Sequence, residues 1–164
     1  MRKPMIGGEE EMGATAVEDT LAIHQLYARY SDAIMRNDPD TFGSCWSEDA
    51  YWLLLGNEFR GRDAIVESYT HSVAGTDFIL HLAMAPLIAV EGDAARVRTQ
   101  VMEILHFSGG GSMLILANYN DELARVDGQW LFAARRISVR YSGPFAMDDN
   151  MIMPFPPEAA KPFA

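Results

Sequence analysis

Two histidines stand where chemistry could be done. His81 lies inside the apolar run Phe78-Ile79-Leu80-His81-Leu82-Ala83-Met84, and His106 closes the run Val97 to Phe107 on a face shared with Gln100, Met102 and Ile104. A buried imidazole needs a hydrogen-bonding partner, and it is the side chain whose unperturbed titration falls nearest neutrality. Two of them on neighbouring strands would supply a base and an acid. Tyr30, Ser31, Asp32 and Met35 follow one another on the first helical stretch. Asp32 either points inward and orients an imidazole or stays solvated on the outer side. Arg135 and Arg136 are adjacent in a strand-like run, so one faces inward and the other outward. An inward guanidinium would steady a developing anion, and a salt bridge to Glu103 or Asp121 would be an equally simple use of it.

Other reactive types have plainer readings. His24 reads as a helix-boundary or surface residue and His71 as a cap at a helix end. Cys45, the single cysteine, precedes Trp46 in apolar sequence and reads as a buried, inert thiol. It also excludes an internal disulfide. No His-x-His pair and no His-Glu-x-x-His is present, so no metal site is expected. Gly109-Gly110-Gly111 lacks a following Lys-Ser/Thr helix start and reads as a hairpin loop. No serine nucleophile elbow is present, and no cofactor is implied.

The elements that must position these residues follow from the apolar spacing. From Asp19, the residues Leu21, Ile23, Leu26, Tyr27, Tyr30 and Ile34 predict one helix face, ended by Asn37-Asp38-Pro39-Asp40. A short helix is predicted from about Pro39 to Ser47, burying Phe42, Cys45 and Trp46. Ala50 to Leu55 reads as a strand turning at Gly56-Asn57, with a second short strand around Phe59. Asp63 is the expected cap of a third helix that buries Ile65, Val66 and Tyr69. Four strand-like runs complete the pattern: Phe78 to Val90, Ala94 to Phe107, Met113 to Arg125 and Trp130 to Tyr141, punctuated by Glu91-Gly92-Asp93, Ser108 to Ser112 and Asp127-Gly128. The expected fold class is α+β: three helices covering one face of a curved, mostly antiparallel sheet, a cone whose interior suits a small molecule.

The 164 residues fit one domain, with residues 1–16 as a flexible arm and 17–142 as the folded unit. Residues 143–164 are rich in proline and large apolar groups, and are expected to pack on the pocket mouth or on a neighbouring subunit. Asp and Glu outnumber Lys and Arg by 23 to 13, a formal charge of -10, which argues against nucleic acid and anionic membranes as partners. Without a visible signal peptide or an apolar run of about 18 residues, the expected location is cytoplasmic.

Several stretches together carry a resemblance. Ala22-Ile23-His24-Gln25-Leu26-Tyr27-Ala28-Arg29-Tyr30, Asn37-Asp38-Pro39-Asp40, Glu48-Asp49-Ala50-Tyr51-Trp52, Gly61-Arg62-Asp63-Ala64-Ile65 and Tyr119-Asn120-Asp121-Glu122-Leu123 through Asp127-Gly128-Gln129-Trp130 occur in that order. From about Asp19 to Tyr141 the chain resembles the SnoaL-like branch of the nuclear-transport-factor-2-like superfamily, near its scytalone-dehydratase and hexachlorocyclohexane-dehydrochlorinase relatives. The resemblance implies a cone-like α+β barrel found in dehydratases, dehydrohalogenases, isomerases, cyclases, epoxide hydrolases and non-catalytic subunits. It places His81 at the base histidine of the lyases and His106 at a second histidine, 25 positions on (106 minus 81). Arg135 matches a pocket arginine of the dehydrochlorinase, and Tyr30 resembles a tyrosine near the catalytic acid of a bile-acid dehydratase. Met35 departs from the pattern, because an aspartate that orients the base belongs there.

The resulting expectation is a cofactor-independent lyase that eliminates water, halide or a small carbonyl fragment from an apolar aromatic or polycyclic molecule. His81 takes the proton, His106 acts as acid, Asp32 stands in for the missing aspartate, and Arg135 with Tyr30 steadies the anion. Met35, Trp52, Leu54, Met102 and Tyr119 form the walls. Relatives are often trimers or dimers, so a homo-oligomer is expected. The alternatives are an isomerase or cyclase of the same fold, or a binding or assembly subunit like the small subunits of ring-hydroxylating dioxygenases.

Overall fold

The computed structural model describes residues 14–148 and 151–153. Helix α1 spans Ala14–Met35, α2 Pro39–Ser44 and α3 Arg62–Val73; strands β1 Trp46–Leu54 and β2 Asn57–Arg60 fall between α2 and α3. Five strands follow: β3 Thr76–Ala83, β4 Leu87–Glu91, β5 Ala94–Phe107, β6 Ser112–Val126 and β7 Gln129–Pro144. They form one seven-stranded sheet in the order β2-β1-β7-β6-β5-β3, with β4 also paired to β5. The sheet is curved and unclosed, as the α+β expectation required. Every neighbouring pair is antiparallel except β1 with β7. No described helix is long and apolar enough to cross a membrane.

Several local expectations need correction. α1 begins at Ala14, within the stretch read as an arm, while residues 1–13 lie outside the described residues. Leu21, counted on the buried face of α1, is 60% exposed. The second helix stops at Ser44, and Trp46 opens β1 instead of closing the helix. The Phe78–Val90 run is two strands: Pro86 has no N–H to give a ladder, so Met84 donates to the Gln100 carbonyl and the chain then turns into β4. Thr99 pins this corner, donating from Oγ1 to the Met84 carbonyl at 2.7 Å. Asp63 does not cap α3. Gly61 holds the N-cap position at φ 84° and ψ 149°, a conformation open to glycine, while Asp63 sits in the first turn. Most of the apolar tail lies outside the described residues; Gly143 and Pro144 belong to β7.

The core is an aromatic cluster gathered from distant elements. Tyr30 of α1 packs edge-on to Phe132 of β7 at 5.3 Å and against Phe42 of α2 at 5.1 Å, and Phe42 stacks on Tyr69 of α3 at 4.0 Å. Trp46 and Trp52 of β1 complete it. Gly43 lets α2 approach α3, since a Cβ there would meet Val66 Cγ2 at 2.9 Å. This cluster presses the helices onto one face of the sheet, and that face carries the polar residues described next.

Candidate active site

Strand alternation decides which residues share the covered face. His81 pairs across the β3–β5 ladder with Glu103, and Phe78 pairs with His106, with no register shift between these pairs. Residues 103 and 106 are three apart, so His81 and Glu103 point one way and His106 points the other. His81 is buried on the face that α1 covers, held by two hydroxyls: Ser31 Oγ lies 2.9 Å from Nδ1 and the Tyr119 hydroxyl 3.2 Å from Nε2. Tyr30 meets the imidazole edge-on at 5.6 Å. Burial, reinforced by the positive charge of Arg135, pulls the His81 pKa down to about 3, so the ring is neutral at physiological pH.

Arg135 is the inward arginine. It is fully buried and forms a two-point pair with Asp121 across the β6–β7 ladder, Nε to Oδ1 at 2.9 Å and Nη2 to Oδ2 at 2.7 Å. Its Cζ sits 4.1 Å from the Tyr119 ring centre, 4.1 Å from Phe132 and 4.4 Å from Tyr30. The Tyr27 hydroxyl donates to Asp121 as well. The remaining nitrogen, Nη1, is buried and has no partner among the described residues. A guanidinium with one unsatisfied donor in an aromatic cage is prepared to receive an anionic or carbonyl oxygen. Arg136 faces outward and pairs with Glu122.

Asp32 does not reach His81. Its carboxylate accepts from Arg36 Nε at 2.8 Å, one helical turn away on the outer side of α1, because residue 31 rather than 32 lies on the buried stripe. The contact expected of Asp32 is therefore corrected: the Ser31 hydroxyl is what lies against His81 Nδ1. His106 and Met102 are corrected by the same alternation. His106 Nδ1 pairs with Asp77 Oδ1 at 2.5 Å on the opposite face, and Met102 pairs with Leu82 there. Met35 joins Ser31, Tyr27 and His81 in lining a pocket of about 450 Å³ between α1 and the β3–β4 corner. Trp52 stands beside Arg135 in the β1–β7 register, Leu54 follows on the same side, and Tyr119 touches His81.

Glu103 is the residue that sequence reasoning missed. The sequence presents it only as a possible partner for Arg135, a place that Asp121 takes instead. It lies on the concave face and makes no hydrogen bond or ion pair with a described side chain, and burial pushes its carboxyl up to about 7. Its signal in the sequence was its spacing: Val97, Thr99, Val101, Glu103 and Leu105 form one face of β5.

Histidine, tyrosines, arginine and a carboxyl thus lie together under a helical roof on one face of a curved sheet. Residues 15–136 match the SnoaL-like domain, and the chain belongs to that family. Gamma-hexachlorocyclohexane dehydrochlorinase of Sphingobium indicum is 26% identical over 135 residues, 76% of this chain and 83% of that enzyme. A structure assigned as a scytalone dehydratase of Novosphingobium aromaticivorans superposes with a TM-score of 0.76 at 22% identity, covering 84% of this chain and 94% of its own. One assigned as an aromatic ring hydroxylase of the same organism gives 0.73 at 22% identity, covering 88% and 98%. Likenesses at this level establish the shared fold.

Asp32→Asn separates the two readings of α1. An ion pair with a carboxylate about a third exposed contributes ~0.2–1 kcal/mol, so the substitution is expected to shift the urea midpoint slightly and leave ligand binding and turnover within about two-fold. Ser31→Ala is expected to perturb the His81 ring signals in an NMR spectrum. Turnover falling tenfold or more in Asp32→Asn would return the carboxylate to the site.

Proposed function

We propose that the protein is a cofactor-independent lyase that eliminates a group from an apolar aromatic or polycyclic small molecule, with His81 as the base. The observation that carries this reading is a fully buried imidazole on the same covered face as a buried arginine that keeps one donor free. The reaction begins with the substrate taking the place of the Tyr119 hydroxyl at His81 Nε2, which then withdraws a proton from carbon; the electron density released is met by Arg135 Nη1, with the Tyr30 ring against the guanidinium. Ser31 and Tyr119 fix the imidazole plane, a task the resemblance assigns to an aspartate at position 35. Hydroxyls orient a ring without supplying the negative charge that would stabilise an imidazolium, so the substrate must bring an acidic C–H.

The dehydrochlorinase relative and the dehydratase-type fold neighbours support an elimination. The free donor on Arg135 favours it over an assembly subunit, which has no use for an unpartnered buried donor. The protein is read as a cytoplasmic homo-oligomer, the second point supported by the exposed Leu82, Leu116 and Tyr141 on the outer side of the sheet. The test is elimination from 5-nitrobenzisoxazole, a flat apolar bicycle whose C3–H is removed by a single base, releasing a coloured phenolate. Saturable turnover that depends on His81 supports the reading. A rate no greater than that of buffer plus free imidazole overturns it.

A further inference from the structure

With His106 on the outer face, the base has no histidine partner to protonate what leaves. Glu103 stands directly opposite His81, where cross-strand Cβ atoms are ~5 Å apart. Its surroundings are unusual for a carboxylate. The titratable groups facing it are the neutral His81 from β3, Tyr30 from α1, Tyr69 from α3 and Tyr119 from β6; the nearby cation, Arg135 of β7, is already paired to Asp121. An ionised carboxyl there would be partly desolvated with no counter-charge, at considerable cost. The neutral acid costs little, and its pKa is raised accordingly to about 7.

We propose that Glu103 is the acid of this site, giving its Oε proton to an oxygen leaving group while His81 removes the proton from the adjacent carbon. This rests on the His81 reading above and extends it to the substrate, whose expelled group is hydroxyl or another oxygen, not halide. The C–H electron pair becomes the new π bond, the C–O pair departs on oxygen, and that oxygen takes the Glu103 proton. The imidazolium then returns a proton to the Glu103 carboxylate, so substrate yields alkene and water with no other reactant. Chloride leaves unaided as a weak base. Hydroxide does not, and a neutral carboxyl beside the base is what its departure needs.

The experiment pairs two probes that differ in the need for an acid. In 5-nitrobenzisoxazole the departing phenolate oxygen is stabilised by the nitro group; in unsubstituted benzisoxazole it is not. Glu103→Gln is expected to slow the unsubstituted probe at least ~10-fold while leaving the nitro probe within about 3-fold, and His81→Ala is expected to slow both at least ~100-fold. Equal losses on both probes in Glu103→Gln, or none on either, overturn the assignment of Glu103. Undiminished turnover in His81→Ala overturns the base instead, which is a separate outcome. A second measurement tests the Glu103 proton independently of the probes. The infrared difference between the wild-type protein and Glu103→Gln at pH 6 is expected to contain a protonated-carboxyl band that fades as the pH passes about 7. An ionised carboxylate signal at pH 6 would overturn the proposal.

Discussion

His81→Ala is expected to lower elimination turnover by at least ~100-fold while preserving the fold, since a positioned base contributes roughly 10²–10⁴ to such reactions. The pH profile is the sharper check. An ordinary histidine loses its basic form below about pH 6.5. His81, lowered to about 3 by burial and by Arg135, keeps its basic form well below that. The His81-dependent rate on 5-nitrobenzisoxazole is therefore expected to stay level from pH 8 to pH 5. A rate halved near pH 6.5 would mean that the ring is solvated during the reaction. The depressed pKa costs reactivity in the resting protein, but part of the depression comes from the charge of Arg135. When an anion forms against Nη1, that repulsion is offset and the imidazole gains basicity at the moment it is used.

Asp121→Ala is expected to destabilise the protein by ~3–5 kcal/mol, read as a lowered urea midpoint, because it strands a guanidinium in an aromatic cage and takes the acceptor from the Tyr27 hydroxyl. Both side chains of the pair are wholly buried. Replacing the pair together, Asp121→Leu with Arg135→Met, is expected to recover most of that loss, since apolar side chains of similar volume often equal or exceed a buried ion pair in stability. Turnover should not recover with it. A double variant that folds and lacks activity assigns Arg135 to the reaction; one that folds and retains activity removes it. A loss under about 1 kcal/mol in Asp121→Ala would show that water reaches the pair.

The sequence made some of this legible and hid the rest for physical reasons. Asp127-Gly128 and Glu91-Gly92-Asp93 mark turns because their backbones need conformations few other residues take, and both turns are present. The burial of His81 is legible from its place in an otherwise apolar strand, and its place as a base comes from the family resemblance. β5 misled because its pattern inverts partway. From 95 to 101 the odd positions (Ala95, Val97, Thr99, Val101) are small or apolar and buried and the even ones polar and exposed, but Met102 and Ile104 bring apolar side chains to the even face just where Glu103 puts a carboxyl on the odd one. Either face then fits the inside of the sheet, and the pattern groups His106 with Met102. Register against β3 removes the ambiguity, and register depends on where β3 bulges between Thr76 and Phe78. Asp32 and Ser31 differ by one position on a helix, a rotation of about 100° that local sequence does not phase.

The parallel pairing of β1 with β7 bears on how the chain is made. Trp46 meets Phe132, 86 residues later (132 minus 46), and Trp52 meets Arg135. Until a ribosome has delivered β7, the β1–β2 hairpin has an unpaired edge and two tryptophans without their cover, and α1 lacks the strand that seats Tyr30. Closing so long a loop is entropically slow, and the exposed edge can pair with another nascent chain in the meantime. The helices and first hairpin therefore cannot mature ahead of the rest, and a chain cut between β6 and β7 should emerge as a chaperone client rather than a smaller folded protein.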